Sequence, residues 1–249
     1  MARSEAAPSR PTEVRQFSTK TRLLLLPGFL CNDRLWAHQI AHAPDHADLT
    51  VPDLTGRDSI QDMAIAVLND APDSFALGGF SMGGIVAQEI MRLAPQRVTK
   101  LALISTSARQ LLLSMREQYV RALDHIEKGR FRHVIAEAYP LYVHPSRIKD
   151  DALKQAMLEM MASVGPEVAV RQIQALLAYS DYRPYLGAIA CPTLVLCGRE
   201  DTRTPIDRHM ELAQGIPQSQ LVVIEGSGHF VPLERPEEVS LALRDWLSN

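Results

Sequence analysis

The chain has 249 residues, 46% of them apolar and 22% charged, and a formal net charge of −3. That length suits one large α/β domain with an insertion, and the small charge, with no basic tract interleaved with aromatics, excludes nucleic acid as the expected partner. Three cysteines, Cys31, Cys191 and Cys197, form no C-x-x-C pair and no cluster with histidine at ligand spacing, so neither a disulfide framework nor a metal site is expected. Free thiols fit a reducing, cytoplasmic setting. Residues 1–20 carry Arg3, Arg10 and Arg15 among Ser and Pro without an apolar segment, which reads as a flexible N-terminal segment and not a secretory signal. No apolar run approaches the ~20 residues of a membrane span.

In chain order, residues 22–26 form the first expected strand, whose four leucines predict burial on both faces, and Pro27-Gly28 turns the chain at its end. A helix over 32–43, a strand over 49–53 and a helix over 59–71 follow, the last with Ser59 as N-cap and Asp62 at N3. Residues 74–80 read as a buried strand that runs into Gly79-Phe80-Ser81-Met82-Gly83 and then into a helical stretch from Gly84. A strand over 100–105 precedes a region that breaks the alternation, with helices expected over 111–128, 131–139, 150–164 and 166–178. Strands over 193–197 and 220–224 resume it, and a last helix covers 236–247. Six strands alternating with helices imply a mainly parallel sheet covered on both faces.

Three strand ends carry the chemistry. Ser81 sits between glycines on a sharp strand-to-helix turn, which exposes a serine as a nucleophile and leaves no room for neighbouring Cβ atoms. Asp201 lies just past the 193–197 strand, and Gly226 and Gly228 deliver His229 past the 220–224 strand. Each residue alone is an ordinary turn, cap or surface residue. Together they stand in the order Ser, Asp, His at the ends of three strands, and His229 can serve Ser81 as base with Asp201 as its orienting carboxylate.

On these motifs the chain, from about residue 21 onward, resembles the α/β-hydrolase fold family. The resemblance implies backbone N–H donors for an oxyanion at Phe29 and Met82, with Pro27 standing where the family usually has histidine. It also implies a helical cap over 108–185, inserted between core segments 21–107 and 186–249. The family commonly begins with an antiparallel hairpin; the roughly twenty polar residues ahead of the first strand here predict no full hairpin. The expected function is hydrolysis of a carboxylic ester of a small, largely apolar substrate through an acyl-enzyme, without a cofactor, with Leu30, Met115, Tyr119, Met160 and Phe230 as candidate substrate contacts. Enol-lactone, thioester or C–C bond hydrolysis would use the same triad. Meta-cleavage C–C hydrolases share S-M-G-G but usually place Trp after the histidine, where this chain has Phe230. A hydrolase-fold ligand receptor is the non-enzymatic alternative. Arg34, Arg109 and Arg116 read as solvated rather than as a carboxylate clamp, and His38, His42, His46, His125, His133, His144 and His209 read as structural.

Overall fold

The computed structural model describes residues 20–248. The expected N-terminal segment, apart from Lys20, lies outside the described residues, as does any hairpin preceding the first strand.

Six strands, β1 (Thr21–Leu26), β2 (Ala47–Thr50), β3 (Phe75–Phe80), β4 (Val98–Ile104), β5 (Thr193–Gly198) and β6 (Ser219–Ile224), form one sheet in the order β2-β1-β3-β4-β5-β6. Every neighbouring pair is parallel. β3 and β5 are buried along their whole length and β1 from Leu23 onward, which is why these segments read as apolar runs and not as alternating patterns. Among the described residues, ten α-helical segments accompany the strands: α1 (Ala37–Ala41), α2 (Ile60–Asp70), α3 (Met82–Leu93), α4 (Leu113–Glu127), α5 (Phe131–Ala138), α6 (Asp151–Val164), α7 (Pro166–Ala178), α8 (Ile206–Gly215), α9 (Val231–Glu234) and α10 (Pro236–Ser248). The step from β1 to β2 runs one way along the sheet and the steps to β3, β4, β5 and β6 run the other. With right-handed crossovers, α1 therefore lies on one face, where it packs on α10, and α2 and α3 pack together on the opposite face.

Three local expectations change. The helix expected over 32–43 is a 3-10 turn, Asp33–Trp36, followed by the short α1; the Asn32 side chain accepts from the Arg34 N–H and starts the tighter turn. The second strand ends at Thr50 and not at Asp53, because it is an edge strand and Pro52 has no N–H for the ladder. α8 was not expected: it buries only His209 and Leu212, too thin an apolar stripe to register as helical periodicity. Helices α4 to α7 occupy the stretch between β4 and β5.

Candidate active site

The loops after β1, β3, β4, β5 and β6 meet at the carboxyl edge of the sheet. The order in which strands are added reverses between β1 and β3, so the loops leaving these two strands diverge to opposite faces of the sheet, and Phe29 and Ser81 line one cavity at that point. Ser81 is held at φ 52°, ψ −114°, a left-handed backbone that costs a residue with a Cβ and persists only under external bracing. The braces are present. Its N–H donates to the Ile104 carbonyl at 2.9 Å, and its carbonyl accepts the Thr106 hydroxyl at 2.9 Å together with the N–H groups of Gly84 and Ile85. A Cβ on Gly79 would strike the Gly83 and Gly84 backbone; one on Gly83 would strike the Leu26 and Pro27 carbonyls. Gly83 thus lets the elbow press on the loop after β1, and not on its own strand.

His229 connects the three strand ends. Its Nε2 lies 2.9 Å from the Ser81 Oγ and its Nδ1 2.8 Å from the Asp201 Oδ2. Asp201 and His229 are both 3% exposed. Asp201 Oδ1 also accepts the N–H groups of Arg203 (2.8 Å) and Thr204 (2.9 Å), and Oδ2 the Thr204 hydroxyl (2.7 Å). Burial alone would raise this carboxyl, but the His229 charge and hydrogen bond, with the Thr204 N–H, outweigh it and hold Asp201 below the ordinary carboxylate range. Such a chain lets the imidazole take the serine proton while a fixed carboxylate stabilises the resulting cation.

The loop carrying His229 is tied down on two sides. Glu234, 3% exposed, accepts from the Gly228 N–H at 2.9 Å and from the His144 N–H at 2.7 Å, and the N–H groups of His229 and Phe230 both donate to the Tyr142 carbonyl. Burial raises the Glu234 carboxyl despite the opposing pull of those two donors. On the other side of Ser81, the N–H groups of Phe29 and Met82 have no acceptor among the described residues. The turn that presents Phe29 is clamped by the buried Gln172 of α7, whose Oε1 accepts the Leu30 N–H at 2.8 Å and whose Nε2 donates to the Leu54 carbonyl at 3.4 Å.

These groups face a narrow cavity with about 50 Å³ open to water-sized groups. Phe29, Ser81, Met82, Met115, Tyr119, His229 and Phe230 line it. Leu30 and Met160 do not, contrary to the sequence expectation: Leu30, at φ 54°, spends its N–H on Gln172, and Met160 is 1% exposed inside the packing of the helices between β4 and β5. Arg109 reaches the cavity but is bound to Glu211, Arg116 donates to the Leu177 carbonyl, and Arg34 lies outside. Burial pushes the thiols of Cys31, Cys191 and Cys197 up, so none competes as a nucleophile. Among the described residues, no three His, Cys, Asp or Glu side chains are grouped to hold a metal ion, and no helix is long and apolar enough to cross a membrane.

Sequence reasoning missed Tyr142, Arg203, Thr204, Gln172 and Glu234. Thr204 and Arg203 were within reach, being polar residues in the same loop as Asp201; the other three act through long-range contacts, such as the 142-residue separation of Leu30 and Gln172 and the 90-residue separation of His144 and Glu234.

A model of the alpha/beta hydrolase fold family matches residues 71–236. Among curated proteins, a pimeloyl-[acyl-carrier protein] methyl ester esterase of Vibrio parahaemolyticus is 28% identical over 93% of this chain and 96% of its own. A 2-hydroxy-6-oxononadienedioate/2-hydroxy-6-oxononatrienedioate hydrolase of Cupriavidus pinatubonensis is 29% identical over 69% of this chain and 61% of its own. Among solved structures, a thermophilic esterase from Thermogutta terrifontis superposes with a TM-score of 0.84 at 29% identity, covering 92% of this chain and 90% of that one. A family match spanning most of the sheet, together with relatives that are hydrolases along nearly the full length, shows that the chain belongs to the alpha/beta hydrolase fold family and is an enzyme of the hydrolase class.

Proposed function

We propose that the protein is a serine esterase acting through an acyl-enzyme. Ser81 attacks the ester carbonyl as His229 Nε2 removes its proton; Asp201 holds the imidazole in orientation and stabilises its cation. The N–H groups of Phe29 and Met82 receive the oxyanion. His229 then returns the proton to the leaving alcohol, and water repeats the attack to release the acid and regenerate Ser81. The observation that carries this reading is the unbroken Ser81–His229–Asp201 hydrogen-bond chain beside two unengaged backbone donors at one cavity. Helices α4 to α7, within 108–185, act as a cap that selects the substrate over a core of 21–107 and 186–249. A cavity this small favours a small, largely apolar acyl or alcohol group, and the cytoplasm is its proposed location. No step requires a cofactor.

The ester reading is supported by the relatives named as esterases. A second reading, C–C bond hydrolysis, draws on the similarity to the dienedioate hydrolase, and Phe230 in place of the usual Trp weighs against it. The test is an alkyl phosphonate, which should label the protein once, at Ser81, with Ser81→Ala unlabelled and its kcat on p-nitrophenyl butyrate lower by roughly 10⁴–10⁶. Label mapped to another residue, or retained by Ser81→Ala, would refute the assignment.

A further inference from the structure

Three arginines, Arg109, Arg203 and Arg208, line the cavity that holds Ser81, and no aspartate or glutamate does. Two of them have acids of their own: the Arg109 Nε lies 2.8 and 3.0 Å from the Glu211 oxygens, and the Arg208 Nε lies 3.6 Å from Asp207. Arg203 has no ion-pair partner among the described residues. It is 9% exposed, and no carboxylate is hydrogen-bonded to its guanidinium: Nη1 donates to the Gln118 side-chain oxygen at 2.7 Å, the guanidinium carbon lies 5.2 Å from the centre of the Tyr142 ring, Tyr119 stands alongside, and the Asp201 charge acts on it only through space. Its buried Nε has no acceptor among the described residues. Asp201, two residues upstream, cannot serve as counter-ion at hydrogen-bond range. Both its oxygens are filled by the Arg203 and Thr204 backbone, the Thr204 hydroxyl and His229.

A guanidinium stays charged at any pH the fold survives, and one buried without a carboxylate in hydrogen-bond contact keeps donor capacity for an anion that joins it. In a cavity with low-dielectric walls that positive charge is also focused on whatever enters. The planar fork suits a carboxylate, which it can meet with parallel charge-assisted hydrogen bonds. The Tyr142 ring is a neighbour of both groups, its centre 5.2 Å from the Arg203 guanidinium carbon and 5.6 Å from the His229 imidazole, and Arg203 lines the same cavity as Ser81 and His229.

We propose that Arg203 anchors a carboxylate carried by the substrate, so that the ester hydrolysed here bears a free acid a short chain away from its scissile carbonyl, as in a half-ester of a short dicarboxylic acid or an ester of a hydroxy acid. The proposal rests on the acyl-transfer reading of Ser81. It assigns to a residue two positions past Asp201 the part of specificity that the apolar wall cannot supply, since a hydrophobic slot discriminates poorly between an acid and its neutral analogue.

Two matched pairs of chromogenic esters test it. p-Nitrophenyl hydrogen glutarate against p-nitrophenyl pentanoate places the carboxylate on the acyl side; 4-carboxyphenyl butyrate against 4-carbamoylphenyl butyrate places it on the leaving group. The protein should favour the acidic member of one pair by about tenfold or more in kcat/KM, and that pair tells which side of the ester faces Arg203. Arg203→Gln should bring the ratio near one, and Arg203→Lys, which keeps the charge but not the fork, should restore part of it. Ratios near one for both pairs in the unsubstituted protein overturn the proposal. A ratio that survives in Arg203→Gln while the melting temperature falls overturns it too, because Arg203 is then only a brace between Gln118 and Tyr142. Should Arg203→Gln not fold, binding of glutarate against glutaramide to the unsubstituted protein and to Arg203→Lys decides in its place: glutarate must bind better, and less well to Arg203→Lys. If none of the four esters is turned over and Ser81 takes no phosphonate, the acyl-transfer reading has failed, and glutarate binding still judges the anion site separately.

Discussion

Ser81 keeps a left-handed backbone because four hydrogen bonds to its own N–H and carbonyl outweigh the cost of its Cβ there. One of those partners, Thr106, is itself held by His209: the fully buried imidazole Nε2 accepts the Thr106 N–H at 3.1 Å. Desolvation lowers His209 from its ordinary value of 6.5 to about 4, against a smaller pull upward from Asp201. A histidine whose folded value is depressed binds fewer protons in the folded than in the unfolded state between those two values, so stability is full above about 6.5 and is lost as pH falls toward 4. The loss over that window should reach about 3 kcal/mol. Urea titrations of the unsubstituted protein and His209→Gln, whose side-chain oxygen can still accept the Thr106 N–H, should show the parent losing about 3 kcal/mol more than the variant on acidification from pH 6.5 to 4; parallel curves would show that His209 does not carry the effect.

At the scale of elements, helices α4 to α7 carry methionines in two settings. Met115 of α4, half-buried, lines the cavity, whereas Met157, Met160 and Met161 of α6 are buried away from it. A methionine at helical spacing looks the same in both settings. Met115→Ala should therefore shift the relative kcat/KM between short-acyl and long-acyl esters by about 1–3 kcal/mol. Met160→Ala should leave that preference alone and lower stability by ~2–5 kcal/mol through the cavity it leaves. An acyl-length series with a denaturation curve for each variant separates the two; a changed preference in Met160→Ala would mean that this side chain also reaches the substrate.

Across the whole molecule, segments distant along the chain are stitched together at the site itself. Gln172 of α7 holds the turn after β1, Gln118 of α4 meets Arg203, and Glu234 joins the His229 loop to His144. Unfolding should accordingly be a single transition, with equal calorimetric and van't Hoff enthalpies. Glu234→Ala would strand the buried Gly228 N–H and the His144 N–H, and should cost about 2–4 kcal/mol of stability while lowering kcat/KM by loosening His229. A variant as stable and as active as the parent would show that the Tyr142 carbonyl holds the loop unaided.

Much of this was legible in the residues. The leucine run of β1, the apolar runs of β3 and β5 and the glycines around Ser81 and His229 are local signals, because burial on both faces and backbone crowding are written into a few adjacent positions. The order of Ser81, Asp201 and His229 at strand ends followed from those signals alone. α8 escaped because a helix burying two residues has no clear stripe, and β2 ended early because its edge position, which exposes the effect of Pro52, depends on strand order. Strand order, the separation of Met115 from Met160, the removal of Leu30 from the cavity and the convergence of Gln172, Tyr142 and Glu234 on the catalytic edge emerged only from the folded chain. They depend on which surfaces of distant segments bury one another, and no window of neighbouring residues carries that information.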